Sequence, residues 1–231
     1  MMRLPLYMTY STDAEPYLGY ARRLESQVRD LRAGHFHHAL IVRQGNGMDF
    51  FADVQGVLYR TLTEWIDSAP VIFLDCDLEL RKPIVGLFEG AWDVAAVYRG
   101  HLFRNNMSGR QDYSSAFVAM NCRRPNAIRR FWLEWTSRII SWPVCYPDKV
   151  PAALIKRGWL ASWFSDQSAL NDILLPNGPE KKVPGFMAYH SQGYMVLPLK
   201  AEEYTAESTF PEIKDPYIFH QKPPRGRSNV V

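Results

Sequence analysis

The 231-residue chain lacks any long apolar run; its longest fall well short of the roughly 18 residues that a membrane-spanning helix needs. Residues 1–10 hold one Arg and no sustained apolar core, so no signal peptide is expected. Cysteine is scarce: Cys76, Cys122 and Cys145 are odd in number and have no paired metal-ligand spacing. That pattern fits a reducing compartment, the cytoplasm, with three structural or incidental thiols. Net charge is also small. A formal value of +3 is too weak to indicate a nucleic-acid partner, although it leans toward an anionic ligand. Internal repeats and low-complexity tracts are absent. With 47% hydrophobic and 22% charged residues, the composition is that of a globular domain with one core.

What the chain does have is an apolar run that ends on acid. Residues 71–77 read Val-Ile-Phe-Leu-Asp-Cys-Asp after Pro70. A short run bounded in this way predicts a buried strand of a parallel sheet. Ligands of such sheets bind beyond the carboxyl ends of the strands, which is where Asp75 and Asp77 fall. Alternation places the two aspartates on one face. Carboxylates so close repel unless a cation lies between them, and hard oxygen ligands suit Mg²⁺ or Mn²⁺. The alternative is a strand end whose acids cap the following turn.

Around this motif, strands and helices alternate. Leu4 to Thr9 predicts a first strand, with Asp13 as N-cap and Pro16 in the first turn of a helix. Tyr17, Tyr20, Leu24, Val28 and Leu31 recur at helical spacing. A second strand is expected over His38–Val42, a helix over Phe50–Ile66, and further strands over Asp93–Tyr98 and Ser115–Met120. Residues 99–113, with Arg99, His101, Arg104 and Arg110, are expected to form a long basic loop. Arg129–Ile140 predicts a core helix, Pro143–Pro151 a connection, and Ser165–Leu174 a helix opened by Asp166 and Gln167. After Pro176-Asn177-Gly178 the chain is expected to form short extended pieces and a basic tail. The alternation implies an α/β fold: a sheet flanked by helices.

Paired acids after an apolar strand occur in several enzyme classes. A haloacid dehalogenase pattern needs Thr or Val two residues after the second Asp, where this chain has Glu79. Spread polymerase acids have no other support. Four segments, in order, carry a different likeness: Leu58-Tyr59-Arg60-Thr61-Leu62 leading into Asp75-Cys76-Asp77, then Tyr113 to Asn121, then Ser165-Asp166-Gln167-Ser168-Ala169-Leu170, and finally Ile218-Phe219-His220-Gln221-Lys222-Pro223. Over about residues 4–225 they resemble GT-A fold nucleotide-sugar glycosyltransferases, especially family 8 and related DxD families. Ser114-Ser115-Ala116 stands where that family has Asn-Ser-Gly, and the C-terminal element lacks the family's glycine.

The resemblance implies a single GT-A-like domain over 1–231, with a Rossmann-like mixed sheet, a nucleotide-binding half over 1–121 and an acceptor half over 122–231. It implies that Asp75, Asp77 and His220 hold Mn²⁺ or Mg²⁺, with Asp75 also reaching the donor's ribose. Thr9, Tyr10 and Ser11 match the place of the uracil and ribose, Arg60 that of the donor sugar or phosphate, and Ser115 that of close approach to the sugar. Lys222 and Arg225 would neutralise the diphosphate. Asp166 and Gln167 would face the donor sugar as the catalytic pair, against the alternative that Asp166 only caps its helix. A structural His220 and a solvated tail are the corresponding alternatives for the C-terminal residues. Trp132, Trp135 and Trp142 are expected in the core; Trp159 and Trp163 fit either the core or an acceptor platform.

The implied function is metal-dependent sugar transfer from a nucleotide sugar, a UDP-sugar by resemblance, to an acceptor hydroxyl with retention. The acceptor is left open among glycan, protein hydroxyl, small molecule and hydroxylated DNA base. The competing reading is a non-catalytic nucleotide- or glycan-binding module on the same fold.

Overall fold

The computed structural model describes residues 3–41, 48–84, 86–99, 112–145, 162–175, 186–204, 206–207 and 216–220. Its strands are β1 (Leu6–Thr12), β2 (His35–Ile41), β3 (Val71–Leu74), β4 (Leu78–Leu80), β5 (Val94–Tyr98), β6 (Tyr113–Met120), β7 (Tyr189–Ser191), β8 (Tyr194–Lys200), β9 (Ala206–Glu207) and β10 (Ile218–His220). Its helices are α1 (Tyr17–Asp30), α2 (Met48–Trp65), α3 (Pro125–Cys145), α4 (Ser162–Leu174) and α5 (Ala201–Tyr204). A seven-stranded sheet runs in the order β2-β1-β3-β6-β5-β8-β7, and a small one in the order β4-β10-β9.

The large sheet is mixed. β3 lies parallel to β1, as its apolar run predicts, but antiparallel to β6 on its other side. β5 is antiparallel to β6 and parallel to β8. All four residues of β3 and all eight of β6 are buried, because both faces of the sheet are covered. Alternation divides their side chains between two cores. Val71 and Phe73 pack on one face with Leu58, Leu62, Trp132, Trp135, Leu170 and Ile173 of α2, α3 and α4. Ile72 and Leu74 pack on the other with Leu24 and Val28 of α1, Leu78 and Ile218.

Several boundaries differ from the sequence expectation, each for a local reason. Helix α1 begins at Tyr17 with Pro16 at its N-cap and no side-chain cap, so Asp13 lies too far back to cap it. Glu15 Oε2 accepts from the Gly19 amide instead, at 3.1 Å. Helix α3 spans more than was expected at both ends: Pro125 takes the first position, where its missing N–H is harmless, and the helix runs through Pro143. A proline there removes one backbone bond near the helix end, which is not enough to stop it. The residues beyond 178 include β8, a full strand of the large sheet. It follows β7 through a two-residue turn in which Gln192 and Gly193 both have positive φ, as a tight hairpin requires. At Gly34, a Cβ would lie 2.1 Å from the Pro5 carbonyl oxygen, so the turn from α1 into β2 admits only glycine.

Candidate functional site

The chain runs from β1 to β2 on one side and returns to β3 on the other, which opens a crevice at the carboxyl ends of β1 and β3. Two bonds hold this crevice. Thr9 Oγ1 donates to the Leu74 carbonyl at 2.6 Å, and the Asp75 amide donates to the Ala116 carbonyl at 2.9 Å. The Leu78 amide then donates to the Asp75 carbonyl at 3.1 Å, closing a turn that places Asp75, Cys76 and Asp77, all partly buried, at the strand end. From there the chain leaves the large sheet as β4, a strand the sequence reading did not anticipate.

Tyr10 stacks on Phe73 with ring centroids 6.3 Å apart. Burial, then the charges of Asp75, Asp166 and Asp77, push its phenol well above the ordinary tyrosine value, so the hydroxyl stays protonated. The Asp75 amide bonds to Ala116 of β6, and the adjacent Ser115 bonds to Asp166 of α4, so the acid turn and Asp166 meet the same end of β6. Cys76 is pushed up to about 12 by burial and by its two neighbouring aspartates, which keeps it a thiol.

Asp166 faces the sheet from α4. Ser115 Oγ donates to its Oδ2 at 2.8 Å, and the Gln167 amide donates to its Oδ1 at 2.6 Å. Its carboxyl is pushed up to about 6 because burial outweighs these hydrogen bonds. Trp135 Nε1 donates to the Asp166 carbonyl at 2.8 Å. Arg99, just beyond β5, donates from Nη2 to Gln167 Oε1 at 3.2 Å. Asn171, fully buried, accepts from the Tyr113 amide at 2.7 Å and donates to the carbonyls of Tyr113 at 2.9 Å and Gln167 at 2.7 Å. It clamps α4 onto β6.

No family model matches the chain, and no curated protein is similar to it in sequence. Solved structures are similar in shape. A glycosyltransferase involved in the glycosylation of the major capsid of PBCV-1 superposes with a TM-score of 0.53 at 10% identity, over 94% of this chain and 91% of that one. Galactosyltransferase LgtC, in complex with donor and acceptor sugar analogs, gives 0.52 at 13% identity, over 95% of this chain and 87% of that one. An active-site Gln-to-Glu mutant of LgtC gives 0.52 at 13%, over 95% and 88%. The chain has the GT-A fold.

Within this GT-A frame, the residues expected from sequence fall into three groups. Asp75, Asp77, Tyr10, Ser115, Asp166 and Gln167 come together as described. Thr9 and Ser11 point to the opposite face of β1 from Tyr10. The Thr9 hydroxyl bonds to Leu74, and the Ser11 hydroxyl meets the Thr12 carbonyl at 3.0 Å and His38 Nε2 at 2.8 Å. Arg60 stands exposed on α2, where Leu58, Thr61 and Leu62 are the residues turned inward. The backbone of His220 pairs with Leu78, next to Asp77, because β10 lies antiparallel to β4. Lys222, Arg225, most of the basic loop, and Trp159 lie outside the described residues.

One expectation is corrected. Asp166 and Gln167 do not open their helix: α4 starts at Ser162, so they sit in its second turn and Asp166 is not an N-cap. Sequence reading also missed the partnership of Arg99 with Gln167 and the Asn171 clamp. An Arg directly after an apolar strand was the available signal for the first. Nothing in the sequence marked the second.

Among the described residues no group of three His, Cys, Asp or Glu could hold a metal ion. Asp75 and Asp77, on one turn, offer hard carboxylate oxygens of the kind that suit Mg²⁺ or Mn²⁺, and the backbone of His220 pairs with Leu78 beside them. A groove of about 640 Å³ lies at the other end of the sheet, between Pro70 before β3 and Asn121 after β6. Its lining mixes Arg3 and Arg123 with Asp67 and Glu89, so it does not select one sign of charge.

Proposed function

We propose that this protein is a metal-dependent glycosyltransferase that moves a sugar from a nucleotide sugar, a UDP-sugar in our reading, to an acceptor hydroxyl with retention. One observation carries the reading: the Asp75–Asp77 turn and Asp166 are tied to neighbouring residues Ala116 and Ser115 of β6, at the carboxyl ends of β1 and β3. The likeness of the fold to glycosyltransferases supports it.

In this reading Asp75, Asp77 and His220 would hold Mn²⁺ or Mg²⁺, which would supply positive charge toward a diphosphate leaving group. Lys222 and Arg225 add cationic contacts to the phosphates. The β1 terminus, Thr9 to Ser11, receives the base and ribose, with the Tyr10 ring as the contact surface and Asp75 reaching the ribose. Thr9 and Ser11 contribute through backbone, since their hydroxyls are engaged within the protein. Arg60 meets the donor from outside. Ser115 lines the approach to the sugar and holds Asp166 in place.

The acceptor oxygen bonds to the anomeric carbon on the face from which the diphosphate departs. The broken bond's electron pair leaves with the nucleoside diphosphate, and the acceptor's proton passes to the leaving phosphate oxygen. Asp166, ionised at neutral pH, stabilises the positive charge that develops at the sugar. Both its oxygens already accept hydrogen bonds, which favours this electrostatic role over covalent attack. The acceptor class stays open among glycan, protein hydroxyl, small molecule and hydroxylated DNA base.

The test is calorimetric titration of UDP with Mn²⁺ or with EDTA, alongside turnover of a panel of UDP-sugars. Mn²⁺-dependent binding and turnover are expected. Equal UDP affinity in EDTA would remove the metal from the reading, and Mn²⁺-dependent binding without any turnover would leave a binding module.

A further inference from the structure

We infer that Arg99 is a positioning residue that fixes the Gln167 carboxamide with its oxygen turned away from the substrate, so that Gln167 acts through its Nε2 donor. The inference rests on the glycosyltransferase reading above and concerns which atom of Gln167 meets the sugar.

Arg99 is brought to the site by topology. β5 is antiparallel to β6, and β6 is antiparallel to β3, so β5 ends at the same edge of the sheet as Asp75. Arg99 is the first residue beyond it, and its own amide donates to the Asp112 carbonyl at 2.6 Å. Its Nη2 lies 3.2 Å from Gln167 Oε1. A guanidinium has only donors, and a carboxamide has one acceptor oxygen and one donor nitrogen. The contact therefore fixes which way the amide faces: the oxygen must meet Arg99, leaving the nitrogen on the other arm.

The backbone below that side chain is held as firmly. The carbonyl of Asp166 accepts from Trp135 and that of Gln167 from Asn171, while the Gln167 amide donates to Asp166 Oδ1. With the main chain and the oxygen both held, Nε2 makes no hydrogen bond among the described residues. This N–H₂ stands one residue from the Asp166 carboxylate, and in the glycosyltransferase reading it turns to an oxygen of the donor. A sugar hydroxyl, the ring oxygen or a phosphate oxygen supplies one. An amide oxygen already bonded to a guanidinium is poorly placed to attack the anomeric carbon, and a nitrogen donor does not stabilise positive charge there. Charge stabilisation belongs to Asp166, and Gln167 discriminates among sugars by the oxygen it meets.

Two variants and two measurements test this. In ligand-free ¹⁵N-labelled protein, Arg99→Met should shift the Gln167 side-chain amide resonances, identified by their loss in Gln167→Glu, and Arg99→Lys should restore part of the shift. With UDP-glucose or UDP-galactose and Mn²⁺, Arg99→Met should lower kcat/KM about tenfold, with partial recovery in Arg99→Lys. Gln167→Glu keeps an oxygen toward Arg99 and loses the donor, so its melting temperature should hold while transfer falls about 10²-fold. Unchanged amide resonances in Arg99→Met, or transfer within threefold of wild type in Gln167→Glu, would overturn the assignment. If the wild-type protein turns over neither sugar, the choice of donor or the glycosyltransferase reading fails, and the resonance shift still decides how the amide faces.

Discussion

Asp93 and Asp166 are both aspartates removed from bulk water, and the protein treats them in opposite ways. Asp93, 2% exposed at the start of β5, has its charge met inside the fold. Its Oδ2 accepts from Arg124 Nη1 at 2.7 Å and from the Met195 amide at 2.8 Å, which ties the turn before α3 and strand β8 to the start of β5. Asp166 receives a hydroxyl and a backbone amide but no cation among the described residues, and its carboxyl is pushed up to about 6. An ion paired with arginine holds a structure together. One held only by neutral donors is open to positive charge from elsewhere, which in the proposed function a sugar at its transition state would provide.

The sharpest way to break this contrast is at the aspartate turn, where the proposed function places the metal. Asp77→Ala should abolish Mn²⁺-dependent UDP binding, because one carboxylate does not hold the ion against water; titration heat equal to wild type would end the metal assignment. Asp166→Asn should come next, with transfer reduced by about 10²-fold or more and UDP affinity unchanged, since UDP carries no sugar.

Stability separates the two aspartates in the other direction. The folded value of Asp166 is raised from an ordinary 3.8 to about 6, so the folded state holds the proton more tightly than the unfolded chain. Its favourable contribution is full below the unfolded value and is lost as pH rises through about 6. The melting temperature of Asp166→Asn, relative to wild type, should therefore climb between pH 4 and pH 7. A difference that stays flat across that window would mean that Asp166 is not held by burial. Asp93→Ala should do the reverse, lowering stability by about 2–4 kcal/mol in urea melts by stranding the Met195 amide, with transfer per folded molecule preserved. The smallest effect is expected at exposed Arg60. Arg60→Ala should raise the donor's KM less than about threefold, as removal of an exposed charge typically does.

Residues that combine local pattern with strong chemistry were legible in the chain. The run Val71–Leu74 announced a buried strand because every residue in it is apolar, and Asp75 and Asp77 stood out because carboxylates rarely follow such a run. Asp166 and Gln167 were recognised as a pair but misplaced at a helix start, because the helix begins one turn earlier at Ser162. The Asp93–Arg124 ion pair was not legible at all. Its partners lie 31 positions apart, and nothing in either neighbourhood points to the other.

By itself the amino-acid sequence determined the alternation of strand and helix, the acid turn at the end of β3 and the two buried faces of the sheet. Those properties depend on neighbours within a few residues, through periodicity and the burial of apolar side chains. Tertiary structure alone decided that β6 runs antiparallel between β3 and β5, that β10 returns beside β4 to set His220 next to the aspartate turn, and that Tyr10, Asp75 and Asp166 share one crevice. It likewise decided that Thr9 and Ser11 face away from the crevice while Arg99 reaches Gln167. Such choices depend on which strand ends meet across long stretches of chain, and only the packed sheet brings those ends together.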